Sequence, residues 1–176
     1  VNGPRGLMTV PQWSVMKKEN GLAVNLYVRG EWECKIHNDL VVNLTQDTTY
    51  PEDSKVKITI RQEKPAIYTM SFRIPAWSRK TSLFINDEEY ACKPGAYAEI
   101  RREWKNNDSV LMDLDLRGRV ITSPGSVNHK VVMRGPVILA LDSRMADQED
   151  MNLWLLHDRM KWQRRKDWRE EYILLE

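Results

Sequence analysis

Two pairs of residues in this 176-residue sequence have types and spacings that enzymes use for chemistry. Cys34 and His37 form a C-x-x-H pair, which is half of a zinc site, so Cys92 or His129 would have to complete it from elsewhere in the fold. Asp113 and Asp115 lie two residues apart and share one face of a strand, and paired carboxylates are what the cleavage of a glycosidic bond requires.

Both pairs also have a simpler explanation, which we favour. A buried cysteine and a surface histidine on one strand account for Cys34 and His37. Asp113 and Asp115 are flanked by apolar residues that take the core face, so we interpret the two carboxylates as part of an exposed edge that discourages strand pairing. No serine or cysteine lies in a motif that would activate it, and the first glycines do not form a phosphate loop. These local patterns predict neither a catalytic residue nor a metal site.

Four of the seven tryptophans fall near the ends of predicted strands, where an indole can stack on a sugar ring. They are Trp13, Trp32, Trp77 and Trp104. The same residues could instead close the end of a sandwich core, and we favour that interpretation while keeping all four as candidate carbohydrate-binding residues. Asn43 and Asn107 each begin a glycosylation motif, but a motif this short often matches by chance.

The elements that position these residues are predicted to be strands, because apolar residues recur with a period of two from Gly21 to Ser143. The runs cover 22–28, 41–44, 56–60, 68–74, 83–85, 98–102, 110–116 and 131–133. Turn residues separate the runs at 51–53, 86–87, 94–95, 106–108, 124–125 and 135–136. Many short strands without helical patterns between them predict a mainly β protein with an antiparallel β-sandwich.

We predict four segments along the chain. Residues 1–20 are a lead-in segment that opens as a loop, 21–118 form a β-sandwich domain, 119–146 begin a second sheet or sandwich, and 147–176 are a charged tail. Leu153, Leu156 and Met160 have helical spacing, so we expect a C-terminal helix in the tail.

Composition excludes several classes of protein. Hydrophobic residues make up 41% and charged residues 30%, which excludes a disordered chain, and no apolar run approaches the roughly 18 residues of a membrane-spanning helix. Cys34 and Cys92 allow one disulfide or two thiols, so they do not indicate whether the protein resides in an oxidising or a reducing compartment. The sequence begins at Val1 without a methionine, so we expect a piece of a longer protein, whose localisation the sequence does not define.

The tail suggests one further class of function. Arg164, Arg165 and Lys166 lie between Trp162 and Trp168, a mixture of cations and stacking groups that single-strand nucleic-acid binders use. A solvated helix face has the same composition, and we favour that interpretation over nucleic-acid binding.

Five stretches, in this order, resemble a known family. They are 1–7 (VNGPRGL) with 10–13 (VPQW), 21–27 (GLAVNLY), 45–51 (TQDTTYP) before 56–60 (VKITI), 72–77 (FRIPAW), and 94–98 (PGAYA) with 104–105 (WK) before 133–137 (MRGPV). Together they are similar to the carboxy-terminal part of glycoside hydrolase family 127, the β-L-arabinofuranosidase-like proteins. Residues after about 144 do not match the second sandwich that the resemblance implies.

The resemblance implies a helical catalytic barrel followed by β-sandwich domains. In the family a cysteine held at a zinc site is the nucleophile, and it precedes the stretch that matches 1–7, as do the other zinc ligands and the acid/base glutamate. Neither Cys34 nor Cys92 matches such a position, so the resemblance implies zinc for the full-length family but no cofactor and no catalytic residue for this chain.

The sequence therefore predicts a non-catalytic β-sandwich module that supports a catalytic barrel. The first alternative is a sandwich that binds a plant-type polysaccharide on exposed tryptophans, and the second is a protein that binds a partner or nucleic acid through its basic tail. We also expect a homodimer, because Leu7, Met8, Val10 and Trp13 near the start and Leu153–Leu156 in the tail would otherwise expose apolar surface.

Overall fold

The computed structural model describes residues 3–37, 40–122 and 130–139, and it divides the chain into two compact units. The first unit is Val1–Leu116 and the second is Arg117–Glu176. The predicted helix in the tail lies outside the described residues.

The first unit contains a helix followed by ten strands. Their bounds are α1 Gly3–Ser14, β1 Val15–Lys18, β2 Gly21–Val24, β3 Gly30–His37, β4 Leu40–Thr48, β5 Lys55–Arg61, β6 Ala66–Arg73, β7 Ser82–Ile85, β8 Glu88–Glu89, β9 Tyr97–Trp104 and β10 Ser109–Asp113. The strands form a four-stranded sheet in the order β1-β2-β6-β9 and a six-stranded sheet in the order β3-β4-β5-β10-β7-β8. Strands β2 and β6 pair in parallel, whereas the other pairings are antiparallel.

One apolar core between the two sheets makes this unit a β-sandwich, which confirms the predicted fold class. In β5, Val56, Ile58 and Ile60 are fully buried while Lys55, Lys57 and Arg61 are exposed. The alternation predicted from the period of two is therefore the alternation between core and solvent.

The predicted run 22–28 changes phase after Val24, where β2 ends. Leu22 and Val24 lie in the core, but Tyr27 follows them there in place of Leu26 and Val28. The Tyr27 hydroxyl donates a hydrogen bond to the Arg73 carbonyl oxygen at 2.5 Å. This bond satisfies the polar end of a ring whose remainder packs in the core, and burial raises the pKa of Tyr27.

The opening loop predicted at residues 3–6 is wrong, because α1 begins at Gly3. Pro4 lies in the first turn of α1, where a missing backbone N–H removes no hydrogen bond within the helix. Pro11 lies near the carboxyl end of α1. It has no backbone N–H, so one hydrogen bond within the helix is missing, but α1 continues to Ser14. Among the described residues, no helix is long and apolar enough to cross a membrane.

Several predicted turns contain the left-handed backbone that short connections need. Asn86 and Asp87 join β7 to β8 with φ values of 47° and 70°. Asn107 has φ 66° between β9 and β10, and Gly95 has φ 78° just before β9. Asparagine, aspartate and glycine tolerate this conformation better than other residues do.

The second unit contains a three-stranded antiparallel sheet. Its strands are β11 Gly118–Thr122, β12 Lys130–Arg134 and β13 Val137–Leu139. Gly135, with φ 55°, lies in the turn between β12 and β13. Within this unit the Arg119 guanidinium donates a hydrogen bond to the Gly135 carbonyl oxygen at 3.0 Å.

Candidate functional site

The carboxyl end of α1 is fastened to the sandwich through its own carbonyl groups. The Trp32 indole N–H donates to the Pro11 carbonyl oxygen at 2.8 Å. The backbone N–H of Asn25 donates to the Ser14 carbonyl oxygen at 2.8 Å, and its side-chain amide donates to the Trp13 carbonyl oxygen at 3.0 Å. The last carbonyl groups of a helix have no hydrogen-bond donor within the helix, and these three bonds supply donors to three of them.

The remainder of α1 presents an apolar surface that the first unit leaves uncovered. Leu7 is 73% exposed, Met8 78% and Trp13 54%, and Met16 in the following strand is also exposed. We call these four residues the helix surface. Large apolar side chains that stay exposed on a helix whose end is fixed make this segment a candidate for contact with another protein surface.

The four candidate tryptophans occupy different environments. Trp104 is fully buried, and its indole N–H donates to the Tyr68 carbonyl oxygen at 3.1 Å. It therefore closes the core and is not a residue on which a sugar can stack. Trp32 is partly buried against the core beside the end of α1, and Trp13 is exposed on α1 itself.

Trp77 is partly buried and stacks on Tyr50, with ring centroids 6.4 Å apart and an angle of 5° between the planes. Of the four predicted candidates, Trp13 is more than half exposed, whereas Trp32 and Trp77 are partly buried against the core. Trp104 is in phase with the buried residues Ala98 and Ile100 of β9, so extending the period of two to the end of this strand would have placed it in the core.

The cysteines and histidine of the predicted half-site do not form a metal site. Cys34 is partly buried, His37 is exposed on the same strand, and both Cys34 and Cys92 are free thiols. His129 lies outside the described residues. Among the residues that the structure describes, no three histidine, cysteine, aspartate or glutamate side chains form a group that could hold a metal ion. The described residues therefore do not fit the zinc that the resemblance implies for the full-length family.

Both thiols have a raised pKa. Burial, and secondarily the Glu33 carboxylate, raises the pKa of Cys34. Burial, and secondarily the Glu89 carboxylate, raises the pKa of Cys92, whose Sγ also donates to the Thr81 carbonyl oxygen at 3.1 Å. A raised pKa lowers the thiolate fraction at neutral pH, and the thiolate is the reactive form.

Asp113 and Asp115 lie on the side away from the core, as predicted, but their predicted position at an exposed edge is wrong. Strand β10 lies inside the six-stranded sheet, where Asp113 is opposite Lys55 of β5 on one side and Ser82 of β7 on the other. Asp115 follows the end of β10, and its backbone N–H donates to Ser78 Oγ at 2.8 Å. A lysine directly across from Asp113 gives the carboxylate an oppositely charged neighbour.

Sequence reasoning missed a groove of about 670 Å³ at the β3, β4 and β5 end of the six-stranded sheet. Glu33, Asn43 and Arg61 line it, together with residues of the segment that follows β5. The period of two marks the apolar face of each strand, whereas these side chains are on the polar face. The sequence marks Glu33, Asn43 and Arg61 as polar residues of separate strands, and only the strand register of the structure aligns them.

Comparisons with known proteins agree on one family. The model described as "Beta-L-arabinofuranosidase, GH127 middle domain" matches residues 21–116. A GH127 β-L-arabinofuranosidase from Geobacillus stearothermophilus T6 is similar in structure, with a TM-score of 0.71, 28% sequence identity, and 78% of this chain and 22% of that one covered. No curated protein matches.

Two further solved structures are similar. One, titled "Glycoside hydrolase", has a TM-score of 0.69 at 27% identity over 78% of this chain and 24% of that one. The other, the GH127 β-arabinofuranosidase BT3674, has a TM-score of 0.69 at 24% identity over 76% of this chain and 24% of that one, which shows the fold alone. The chain therefore spans about a quarter of the length of these structures.

Proposed function

The chain belongs to glycoside hydrolase family 127, and we propose that its β-sandwich is a non-catalytic module that packs against and supports the catalytic barrel of a β-L-arabinofuranosidase-like enzyme. The barrel is the partner, and the helix surface is where the sandwich meets it. The activity belongs to the barrel.

The observation that carries this proposal is the helix surface. Leu7, Met8 and Trp13 are more than half exposed, although the helix is held to the sandwich by hydrogen bonds to Trp32 and Asn25. A fixed helix that keeps large apolar side chains in water gains free energy when another domain covers it, at roughly 25 cal/mol for each Å² removed from water.

The chemistry of the described residues supports the non-catalytic part of the proposal. The thiols of Cys34 and Cys92 have raised pKa values, and Asp113 lies opposite a lysine within a sheet. Within residues 3–37, 40–122 and 130–139, none of these groups is paired with a second group that would activate it or share its proton, as catalysis by a thiolate or a carboxylate pair requires.

The direct experiment is to incubate the 176-residue chain with an aryl β-L-arabinofuranoside, added zinc and a reductant. We expect no release of the aryl group above the rate without protein. The positive control is a complete enzyme of the family under the same conditions. Turnover by this chain that Cys34→Ser or Cys92→Ser abolishes would contradict a non-catalytic module and assign the nucleophile.

A further inference from the structure

The polar groove on the six-stranded sheet is an open site lined by hydrogen-bonding side chains. We propose that it binds a short, neutral oligosaccharide, which is a function separate from support of the catalytic barrel. The groove measures about 670 Å³, within the usual range for small-ligand sites. Its floor is the outer face of β3, β4 and β5, and its rim is the segment after β5 together with Asn106.

Three hydrogen-bonding side chains lie in one row across the floor of the groove. Glu33 of β3 is paired in register with Asn43 of β4, and Asn43 is paired in turn with Arg61 of β5. Adjacent strands are about 4.8 Å apart, so the row spans about 10 Å. A carboxylate accepts, a guanidinium donates and an amide does both, which together match the hydroxyl groups of two adjoining sugar rings.

The side chains of this row are available to a ligand. Within the described parts of the chain, Glu33, Asn43 and Arg61 make no side-chain hydrogen bond or ion pair, and all three are exposed. A ligand would therefore displace only water from them, with no internal bond broken first.

The rim, by contrast, is held in place before any ligand arrives. The buried Gln62 amide donates to the carbonyl oxygens of Lys64 at 2.9 Å and Trp104 at 2.7 Å, and its side-chain oxygen accepts from the Tyr68 hydroxyl at 2.8 Å. The Gln62 backbone N–H donates to Asn106 Oδ1 at 3.3 Å. A preformed rim lowers the ordering cost of binding.

The charges of the groove favour a neutral ligand over a charged one. Glu33 and Glu63 carry two negative charges, and Arg61 and Lys64 carry two positive charges, so the lining has no net charge. An anionic ligand such as a uronate chain or a phosphate gains no net attraction there. Val41, which is also exposed in the groove, offers apolar surface to the C–H face of a sugar ring.

Titration of the isotope-labelled chain with a linear arabinan trisaccharide, followed by backbone amide NMR, tests this proposal. Trigalacturonate is the charged counterpart. We expect saturable shifts in the amides around Asn43 and Arg61 with the neutral trisaccharide and weaker binding of trigalacturonate. Arg61→Gln should weaken binding of the neutral trisaccharide about tenfold, a typical result of losing a charged hydrogen-bond partner.

Lys57→Gln is the matched control, because Lys57 lies on the same outer face of β5 and outside the groove. We expect it to leave binding unchanged, and the amide spectrum of each variant reports whether it is folded. Failure of the neutral trisaccharide to saturate at millimolar concentration overturns the proposal. Tighter binding of trigalacturonate, equal losses in both variants, or shifts confined to Trp13 and Trp77 overturn it as well. None of these results bears on support of the barrel.

Discussion

The buried Asp108 carboxylate accepts a hydrogen bond from the Asn86 side-chain amide, with 2.7 Å between Asp108 Oδ1 and Asn86 Nδ2. Its other oxygen accepts from the Lys105 backbone N–H at 2.9 Å, and Asn86 Oδ1 accepts from the Ser109 backbone N–H at 2.9 Å. The turn between β7 and β8 is thereby tied to the turn between β9 and β10, which lie at the same end of the six-stranded sheet.

Replacing Asp108 should therefore destabilise the sandwich. Asp108→Ala removes the two carboxylate oxygens that accept from the Asn86 amide and the Lys105 backbone N–H at a buried position. We expect a loss of about 3 kcal/mol in the free energy of unfolding. Urea denaturation measures it. Asp47→Ala is the control, because Asp47 pairs with Arg29 at 3.6 Å with both side chains well exposed, and its loss should cost less than about 1 kcal/mol. Equal losses would contradict a linking role for Asp108.

The close approach of β2 to β6 leads to a second prediction. A Cβ added to Gly21 would lie 1.8 Å from the Thr69 carbonyl oxygen, and this atom belongs to the backbone of the paired strand. Gly21→Ala must therefore separate the parallel strands, and we expect a loss of more than about 3 kcal/mol. Thermal unfolding of the purified variant measures this loss.

Gly6→Ala is the matched control, since a Cβ added at Gly6 meets nothing within 4 Å. Alanine favours a helix more than glycine does, so this variant should gain up to about 1 kcal/mol. A Gly21→Ala variant as stable as the native chain would show that β2 and β6 do not pair as described.

The sequence pattern predicted the sandwich because burial on one face leaves a period of two, which strands such as β5 display clearly. It failed where tertiary contacts override that pattern. Tyr27 lies in the core, where its hydroxyl donates to the Arg73 carbonyl oxygen. Residues 3–6 belong to a helix whose carboxyl end accepts hydrogen bonds from Trp32 and Asn25. Arg73, Trp32 and Asn25 each lie at least 12 residues along the chain from the residue with which they form these hydrogen bonds.

The candidate sites are likewise only partly predictable from the sequence. Trp104 continues the alternation of β9 into the core, a position that the sequence pattern can predict. Trp77 lies in the connection between β6 and β7, and its stacking on the Tyr50 ring is visible only in three dimensions. The row of Glu33, Asn43 and Arg61 depends on strand register. Register follows from which strands become neighbours, and a single sequence does not specify that.

The raised pKa values of the two thiols predict slow alkylation. At neutral pH, we expect Cys34 and Cys92 to react with iodoacetamide more slowly than the same residues in the urea-unfolded chain, because burial keeps them protonated. The rate should increase as the pH is raised above the ordinary range of a thiol. Mass spectrometry of each cysteine peptide measures the rate. Rapid labelling of either residue in the folded chain at pH 7 would identify it as an activated thiolate.

The outer face of the four-stranded sheet carries an ion pair that should respond to acid. Lys18 Nζ lies 2.6 Å from Glu99 Oε1, and this hydrogen bond and the lysine charge hold the pKa of Glu99 below its usual range. Because the pKa is lower in the folded chain, the pair stabilises the fold above about pH 4.3, the usual glutamate value. That contribution is lost as the pH falls through the lowered pKa.

Carboxyl NMR titration of Glu99 measures this pKa directly. Lys18→Met should return it toward the ordinary value, and the difference in stability between native chain and variant should shrink in acid and at high salt. Both side chains are about half exposed, so the difference is small even at neutral pH. A Glu99 pKa that does not change in Lys18→Met would contradict the ion pair.

The helix surface predicts that the isolated chain forms a homodimer. Leu7 and Met8 are the most exposed of its apolar side chains, and pairing two copies about a twofold axis would cover both helices at once. Light scattering at micromolar concentration should give a mass of about twice 20.7 kDa.

The double variant Leu7→Lys, Met8→Lys should give a monomer, because lysine at these positions places like charges across the twofold axis. Ile67→Lys is the control, since Ile67 is 59% exposed on β6 and lies outside the helix surface. A native mass near 20.7 kDa would reject the dimer, and dissociation by Ile67→Lys alone would move the interface to the sheet.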